Sequence, residues 1–158
     1  MHHNILFRKA APEDCALVYA WFQDPVTRAN SFSRSQVTFE DHSQWFLSRI
    51  QQTDAPYWVF YRAEHPEILI GQVRIDLKAE GPVIGINLAP EHRGQGYAAI
   101  MLRLAAASFS KQNKAPIRAW IMNSNTASGK AFTAAGFRFD HEEIIEGIPS
   151  SLYLYHAL

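Results

Sequence analysis

Cysteine is nearly missing. Cys15 is the only one in 158 residues, so an intrachain disulfide framework is excluded. Long apolar runs are missing too. The best, residues 100–109, is interrupted by Arg103 and falls well short of the roughly 18 residues a membrane span needs. The opening residues, Met-His-His-Asn, then Ile5 to Phe7 and Arg8-Lys9, lack the basic region and long apolar stretch of a secretory signal. Net charge is absent: 15 Lys and Arg balance 15 Asp and Glu. A duplex-binding domain would ordinarily have a pI above about 9, so no nucleic acid partner is expected. The seven histidines show no ligand spacing, so no metal is expected. These absences leave a cytoplasmic protein with no membrane partner as the expectation.

One further absence is local. Residues 92–139 contain no Asp and no Glu, yet hold Arg93, Arg103, Lys111, Lys114, Arg118, Lys130 and Arg138. A one-sided field of this kind favours a small anionic ligand over that half of the chain.

What is present describes one domain over residues 1–158. Apolar residues make up 47% of the chain, and a chain of this length buries roughly 68–70% of its unfolded surface. Residues 4–9 read as a strand. Pro12-Glu13-Asp14 reads as a helix start, with Leu17, Val18, Trp21 and Phe22 at helical spacing behind it. Thr38 and Asp41 form a capping pattern before Phe39, Phe46 and Ile50. Residues 24–37 between them read as a loop or short helix. Strands are predicted over 57–62, 68–77 and 83–89, with turns at His65-Pro66-Glu67 and at 79–82. An Ala- and Leu-rich helix follows over 95–112, then a strand over 117–122. A helix capped by Ser124 or Asn125 ends at Gly136, and a closing hairpin runs over 137–145 and 152–156. The order predicts an α+β fold, a mixed but mainly antiparallel sheet with helices on both faces.

Between the 83–89 strand and the 95–112 helix lies Arg93-Gly94-Gln95-Gly96-Tyr97-Ala98. Glycines let backbone approach a ligand, and the amides at a helix start favour an anion such as a pyrophosphate. Gly94-x-Gly96-x-x-Ala99 fits a loose dinucleotide fingerprint, but that motif wants an acid about 20 residues later, and 92–139 has none. Arg93-x-x-Gly96-x-Ala98 instead resembles the Gln/Arg-x-x-Gly-x-Gly/Ala signature of the GNAT superfamily of acetyl-CoA-dependent N-acetyltransferases. Asn125-x-x-Ser128-x-x-Ala131-Phe132-x-x-x-Gly136-Phe137 resembles that family's downstream segment at matching separation.

The resemblance implies acetyl-CoA as co-substrate and an amine as acceptor. It implies a bulge in the strand before the cradle, and a V-shaped cleft where that strand splays from the one after the helix. Ile86, Asn87 and Leu88 would offer backbone groups to the pantetheine arm, with the Leu88 N–H as oxyanion donor. Arg93, Gly94, Gln95, Gly96, Tyr97 and Ala98 would hold the pyrophosphate through amides. Asn125 and Phe132 would meet the cofactor arm, and Lys130, Arg103 or a neighbouring base the 3′-phosphate, with no motif position selecting one. Family members often carry a tyrosine acid at the Phe132 position. Here the thiolate leaves unassisted or through water, or Tyr97, Tyr153 or Tyr155 substitutes, or catalysis is lost. Trp120 stands where ribosomal-type N-terminal acetyltransferases often carry a glutamate.

The acceptor region, with Asp24-Pro25-x-x-Arg28, Ser31-Phe32 and Glu40-Asp41-His42-x-x-Trp45, resembles the pseudaminic-acid-pathway branch, which acts on nucleotide-linked amino sugars. The chemistry of the region suits such an acceptor: Arg28, Arg34 and His42 would meet a sugar-nucleotide diphosphate, and Trp21, Phe32 or Trp45 would flank a base or sugar face, with His42, or Asp76 on the strand facing the cofactor strand, as general base. A small amine acceptor is expected. A protein acetyltransferase and a non-catalytic acyl-CoA-binding module are the alternatives, and a homodimer is compatible with the family.

Overall fold

The computed structural model describes residues 4–33 and 35–158. Strand β1 (Ile5–Lys9) leads into a 3-10 turn (Pro12–Asp14) and three helices, α1 (Cys15–Gln23), α2 (Pro25–Ala29) and α3 (Phe39–Arg49). Strands β2 (Tyr57–Arg62), β3 (His65–Lys78) and β4 (Gly81–Leu88) form a meander. A 3-10 turn (Pro90–His92), α4 (Tyr97–Ser110), β5 (Ile117–Met122), α5 (Thr126–Ala134), β6 (Arg138–Ile145) and β7 (Ile148–Tyr155) complete the chain.

The helix boundaries follow the predicted caps. Asp14 accepts from the Ala11 amide (2.8 Å) and is held by Arg8 (2.8 and 2.9 Å), which fixes the entry to α1. Thr38 Oγ1 accepts from the Asp41 amide (3.1 Å), and Asn125 Oδ1 from the Ser128 amide (3.3 Å). Gly136, just past α5, takes φ +99°, which a β-carbon would strain.

The seven strands form one sheet in the order β1-β2-β3-β4-β5-β7-β6, antiparallel except at β4–β5. Alternate side chains go to opposite faces. On one face Ile75, Ile84, Met101, Leu102, Ile117, Ala119, Phe132 and Phe137 form the larger core under α4 and α5. On the other, Val18, Trp21, Phe46, Tyr57 and Val59 pack α1 and α3 against the sheet.

Three turns fall elsewhere than expected. Arg62 pairs with His65, so the turn lies at residues 63–64 and β3 already contains Pro66. Lys78 pairs with Gly81, so residues 79–80 make the turn and Pro82 sits inside β4. Glu146 and Gly147 both take positive φ (52° and 76°), a conformation that suits a two-residue hairpin, so β7 begins at Ile148. Each strand is longer than its apolar run because hairpin pairing extends it.

The bulge expected in β4 is not there. Its register with β3 is unbroken from Gly71–Leu88 to Lys78–Gly81. The shifts lie in β2–β3 and β6–β7 instead. The constraint on β4 comes from Gly71, where a β-carbon would sit 2.3 Å from the Asn87 carbonyl oxygen and 3.0 Å from Met101 Cε. Gly71→Ala is expected to lose about 1–3 kcal/mol in urea unfolding by overpacking; unchanged stability would contradict this account of the β3–β4 contact.

Candidate active site

The cradle begins where the 3-10 turn after β4 ends. Gly94 (φ +74°) and Gly96 (φ +82°) both take left-handed backbone, and a β-carbon at either would meet nothing within 4 Å. Glycine is needed here for the sign of φ, not for lack of room. Gly96 is the N-cap of α4. Among the described residues, the amides of Gly94, Gln95 and Gly96 donate to no protein acceptor. They stand at the positive end of a 14-residue helix. Ala98 follows in the first turn of α4, and Tyr97 is buried against the larger core.

Arg93 departs from the expected role. Its amide donates to the Pro90 carbonyl (3.3 Å). Its guanidinium donates to Asp24 (2.5 Å) and to Thr27 Oγ1 (3.0 Å). Asp24 also accepts the Val26 and Thr27 amides, capping α2. The Arg93 hydrogen bond holds the Asp24 carboxyl below its ordinary range. Arg93 therefore latches the cradle to α2 and is not a phosphate ligand here.

Beside the cradle, β4 and β5 pair only at Val83–Arg118. Beyond that pair the strands part. Ala89 donates its amide to Ile70 across β3 (2.8 Å). Antiparallel alternation then turns the N–H and C=O groups of Leu88 and Ile86 away from β3, into the gap. Pro82 has the same parity, so its missing N–H costs β3 no hydrogen bond. The gap opens toward the cradle.

The downstream motif closes the other side. Asn125 spends its side-chain oxygen on the α5 cap. Phe132 is 3% exposed and packs edge-on against Phe137 (5.0 Å between centroids). It is thus core, which removes it as a direct cofactor contact: the ring is already enclosed by protein. Tyr153 and Tyr155 are half-buried on β7, Tyr155 against Phe137. Arg103 ties α4 to α5 through the Ala134 carbonyl (2.9 Å), and Lys130 is exposed. A recess of about 780 Å³ lies on the β6 side of α5, lined by Lys130, Phe139, Glu142 and Tyr153, and of the cradle and cleft residues it includes only Asn125.

An acetyltransferase (GNAT) domain model matches residues 4–138. The chain belongs to the GNAT acetyltransferase domain family. No curated protein sequence is significantly similar to it. Among solved structures, a spermidine N-acetyltransferase from Vibrio cholerae in complex with CoA and spermine superposes with TM-score 0.85 at 16% identity, over 97% of this chain and 95% of that one. The aminoglycoside acetyltransferase AAC(6')-Ib with coenzyme A and kanamycin gives 0.80 at 14%, over 97% and 95%. A domain from Methanocaldococcus jannaschii gives 0.83 at 19%, over 99% and 100%. At such identities the likeness is one of fold.

In this GNAT domain the face opposite α4 and α5 is where the acceptor residues were expected. The structure gathers some and buries others. Trp21 is 2% exposed and belongs to the smaller core, which removes it as an acceptor contact. His42 is 3% exposed, enclosed by Tyr19, Phe22, Trp45 and Phe46, and its Nε2 has no partner among the described residues. A base sealed in this way does not reach an amine. Trp45 stays 40% exposed. Phe32 and Arg28 are half-buried in and beside α2. Arg34, like residues 1–3, lies outside the described residues. Asp76 accepts from Arg49 (3.0 Å) and Arg74 (3.2 Å). Burial alone would raise its carboxyl, but the two guanidinium groups outweigh it and hold it below the ordinary range. That makes Asp76 a poor proton acceptor.

Arg74 and Gln72 on this face escaped the sequence reading, and Arg118 was read only as one base of the stretch 92–139. Arg74 lies over Trp45 (5.2 Å) and Phe22 (5.8 Å). Gln72 is fully buried and donates to Asn87. Arg118 lies over the Trp120 ring (5.7 Å). The signal was the alternation Gln72-x-Arg74-x-Asp76: three polar residues at strand period inside an apolar strand define a second face.

Burial pushes the His42 imidazole down. The folded state thus holds it neutral, while the unfolded chain protonates near the ordinary value of about 6.5. Stability from this site is present above that pH and falls as pH drops below it. In thermal unfolding, His42→Phe is expected to lose less stability than the parent between pH 7 and pH 5. Parallel pH profiles would contradict the burial of a neutral imidazole.

Proposed function

We propose that this domain transfers an acetyl group from acetyl-CoA to a primary amine of a small-molecule acceptor by direct attack within one ternary complex. The observation that carries the reading is the cradle: three amides at residues 94–96 that no protein acceptor among the described residues engages, at the positive end of α4, beside a gap in the sheet. These features fit a pyrophosphate with an extended arm. When bound, the thioester supplies an activated acetyl carbonyl.

The chain's own residues supply placement and polarity. Gly94, Gln95 and Gly96 hold the diphosphate through their amides. Ile86 and Leu88 offer main-chain groups across the gap, and the Leu88 N–H donates to the oxygen that gains charge as the amine attacks. Confining both reactants to one cleft contributes about 7–11 kcal/mol toward the barrier. The expected aromatic acid position holds the buried Phe132, so the departing thiolate leaves as the anion or takes its proton from water or from the half-buried Tyr153 or Tyr155. With His42 sealed and Asp76 doubly paired, the amine proton passes to solvent, and no side-chain base is assigned.

The acceptor reading remains a nucleotide-linked amino sugar. Its support is the Asp24-Pro25-x-x-Arg28 and Glu40-Asp41-His42-x-x-Trp45 pattern, together with the exposed Trp45. The solved relatives of the same fold carry spermine and kanamycin, both amines.

Gly96→Glu is expected to abolish acetyl-CoA binding in calorimetric titration, because it adds a carboxylate where the diphosphate sits. Gly96→Ala carries only the left-handed strain, about 1–2 kcal/mol, and should retain binding. Unchanged affinity in Gly96→Glu would contradict the placement. Release of free thiol from acetyl-CoA over an amine panel that includes nucleotide-linked amino sugars tests the activity itself. Tight binding with no turnover on any amine would favour a non-catalytic acyl-CoA-binding module.

A further inference from the structure

Helix α2 is not held by a core. It has five residues, well below the roughly 12–15 at which an isolated helix persists. None of its residues is fully buried, and Val26 is 53% exposed. Its place therefore depends on polar contacts. Arg93 supplies two of them, from 69 and 66 residues away: one nitrogen, Nη2, donates both to Asp24 (2.5 Å) and to Thr27 Oγ1 (3.0 Å). Asp24 is in turn the N-cap of α2, accepting the Val26 and Thr27 amides (3.1 Å each). The pair is partly shielded, with 31% of the Arg93 side chain and 15% of the Asp24 side chain exposed, so salt screens it less than an open surface pair.

The other end of the pair is also lightly held. Gly94, Gln95 and Gly96 are exposed, the two glycines in left-handed backbone, and their amides donate to no acceptor among the described residues. A diphosphate that takes up these amides removes the backbone freedom of residues 94–96 and fixes Arg93 beside them. The guanidinium carries that order to the cap of α2. Helix α2 belongs to the acceptor side. Arg28 lies within it, and Phe22, two residues before its cap, packs against Trp45 (6.3 Å) and under the Arg74 guanidinium (5.8 Å).

We propose that Arg93 is a positioning residue for the acceptor, acting through Asp24: it makes the order of α2, and with it the acceptor side, depend on an occupied cradle. This goes beyond the acetyltransferase reading above and rests on it. Arg93 touches neither reactant. The coupling is reciprocal, so CoA that tightens α2 is itself held more tightly where α2 is ordered. Both partners of the pair carry the same coupling, and loss of either severs it.

The test is backbone-amide hydrogen exchange of the full chain, read residue by residue by NMR, without CoA and with saturating CoA. The reporters are the Arg28 and Asn30 amides, which donate to the Asp24 and Val26 carbonyls (2.9 and 3.2 Å). In the parent, CoA is expected to slow their exchange at least about fivefold, the low end of coupling between sites. Asp24→Asn keeps a side-chain oxygen to cap α2 and loses the charge that holds Arg93. It should abolish the CoA response of these two amides, and Arg93→Gln, which leaves the cap intact, should do the same. A role confined to folding would change exchange in α2 equally with and without CoA. Equal exchange in the two states of the parent would overturn the proposal, as would a CoA response that survives in both variants. Calorimetric titration supplies a further check. A loss of CoA affinity in Arg93→Gln about tenfold or more beyond that in Asp24→Asn would put the guanidinium on the diphosphate and overturn the proposal. CoA that fails to bind the parent at all would remove the acetyltransferase reading and this proposal with it. CoA that binds without reaching α2 would count against the Arg93–Asp24 coupling alone.

Discussion

The parting of β4 from β5 is the constraint on which the rest depends. A sheet interior normally satisfies its main-chain donors and acceptors by pairing. Here one pair, Val83 with Arg118, joins the two halves of the sheet, and the donors beyond it face a gap. The gap persists because each half is held by itself. β4 is locked to β3 by eight consecutive pairs, and β5 is locked to β7 by six. An inserted residue is not needed to open the cleft. Loss of the ladder on one side is enough.

The helices then give the gap two unlike mouths. On one face α4 begins where β4 leaves off, and two left-handed glycines turn its first amides outward. On the other face Arg49 reaches from α3 to Asp76, and also donates to the Ala55 and Ile75 carbonyls (2.7 and 2.9 Å). A second latch, Arg93 to Asp24, joins the cradle loop to α2. These two ion pairs, each spanning elements far apart in the chain, fix α3 and α2 relative to the sheet and the cradle loop.

Much of this was legible in the sequence, for identifiable reasons. Strands 57–62 and 117–122 have strong β-branched and aromatic content and appear with those bounds. Thr38, Asn125 and Gly136 announced helix ends because capping is local chemistry. The cradle was legible because Gly94 and Gly96 serve a backbone conformation that few other residues adopt. Long-range geometry was not legible. That the Arg93 guanidinium is taken up by Asp24, 69 residues away, could not be read from local spacing. His42 and Trp21 carried polar or aromatic chemistry, but helix spacing alone did not tell which face would be sealed.

The central claim is that the amides at the start of α4 grip the diphosphate of CoA. The most direct measurement is a backbone-amide NMR titration with CoA and, in parallel, with pantetheine, which lacks the diphosphate. The account predicts large shifts of the Gly94, Gln95 and Gly96 amides with CoA and little change there with pantetheine, while Leu88 responds to both. Equal responses of the three loop amides to the two ligands, or CoA shifts confined to another part of the chain, would contradict it.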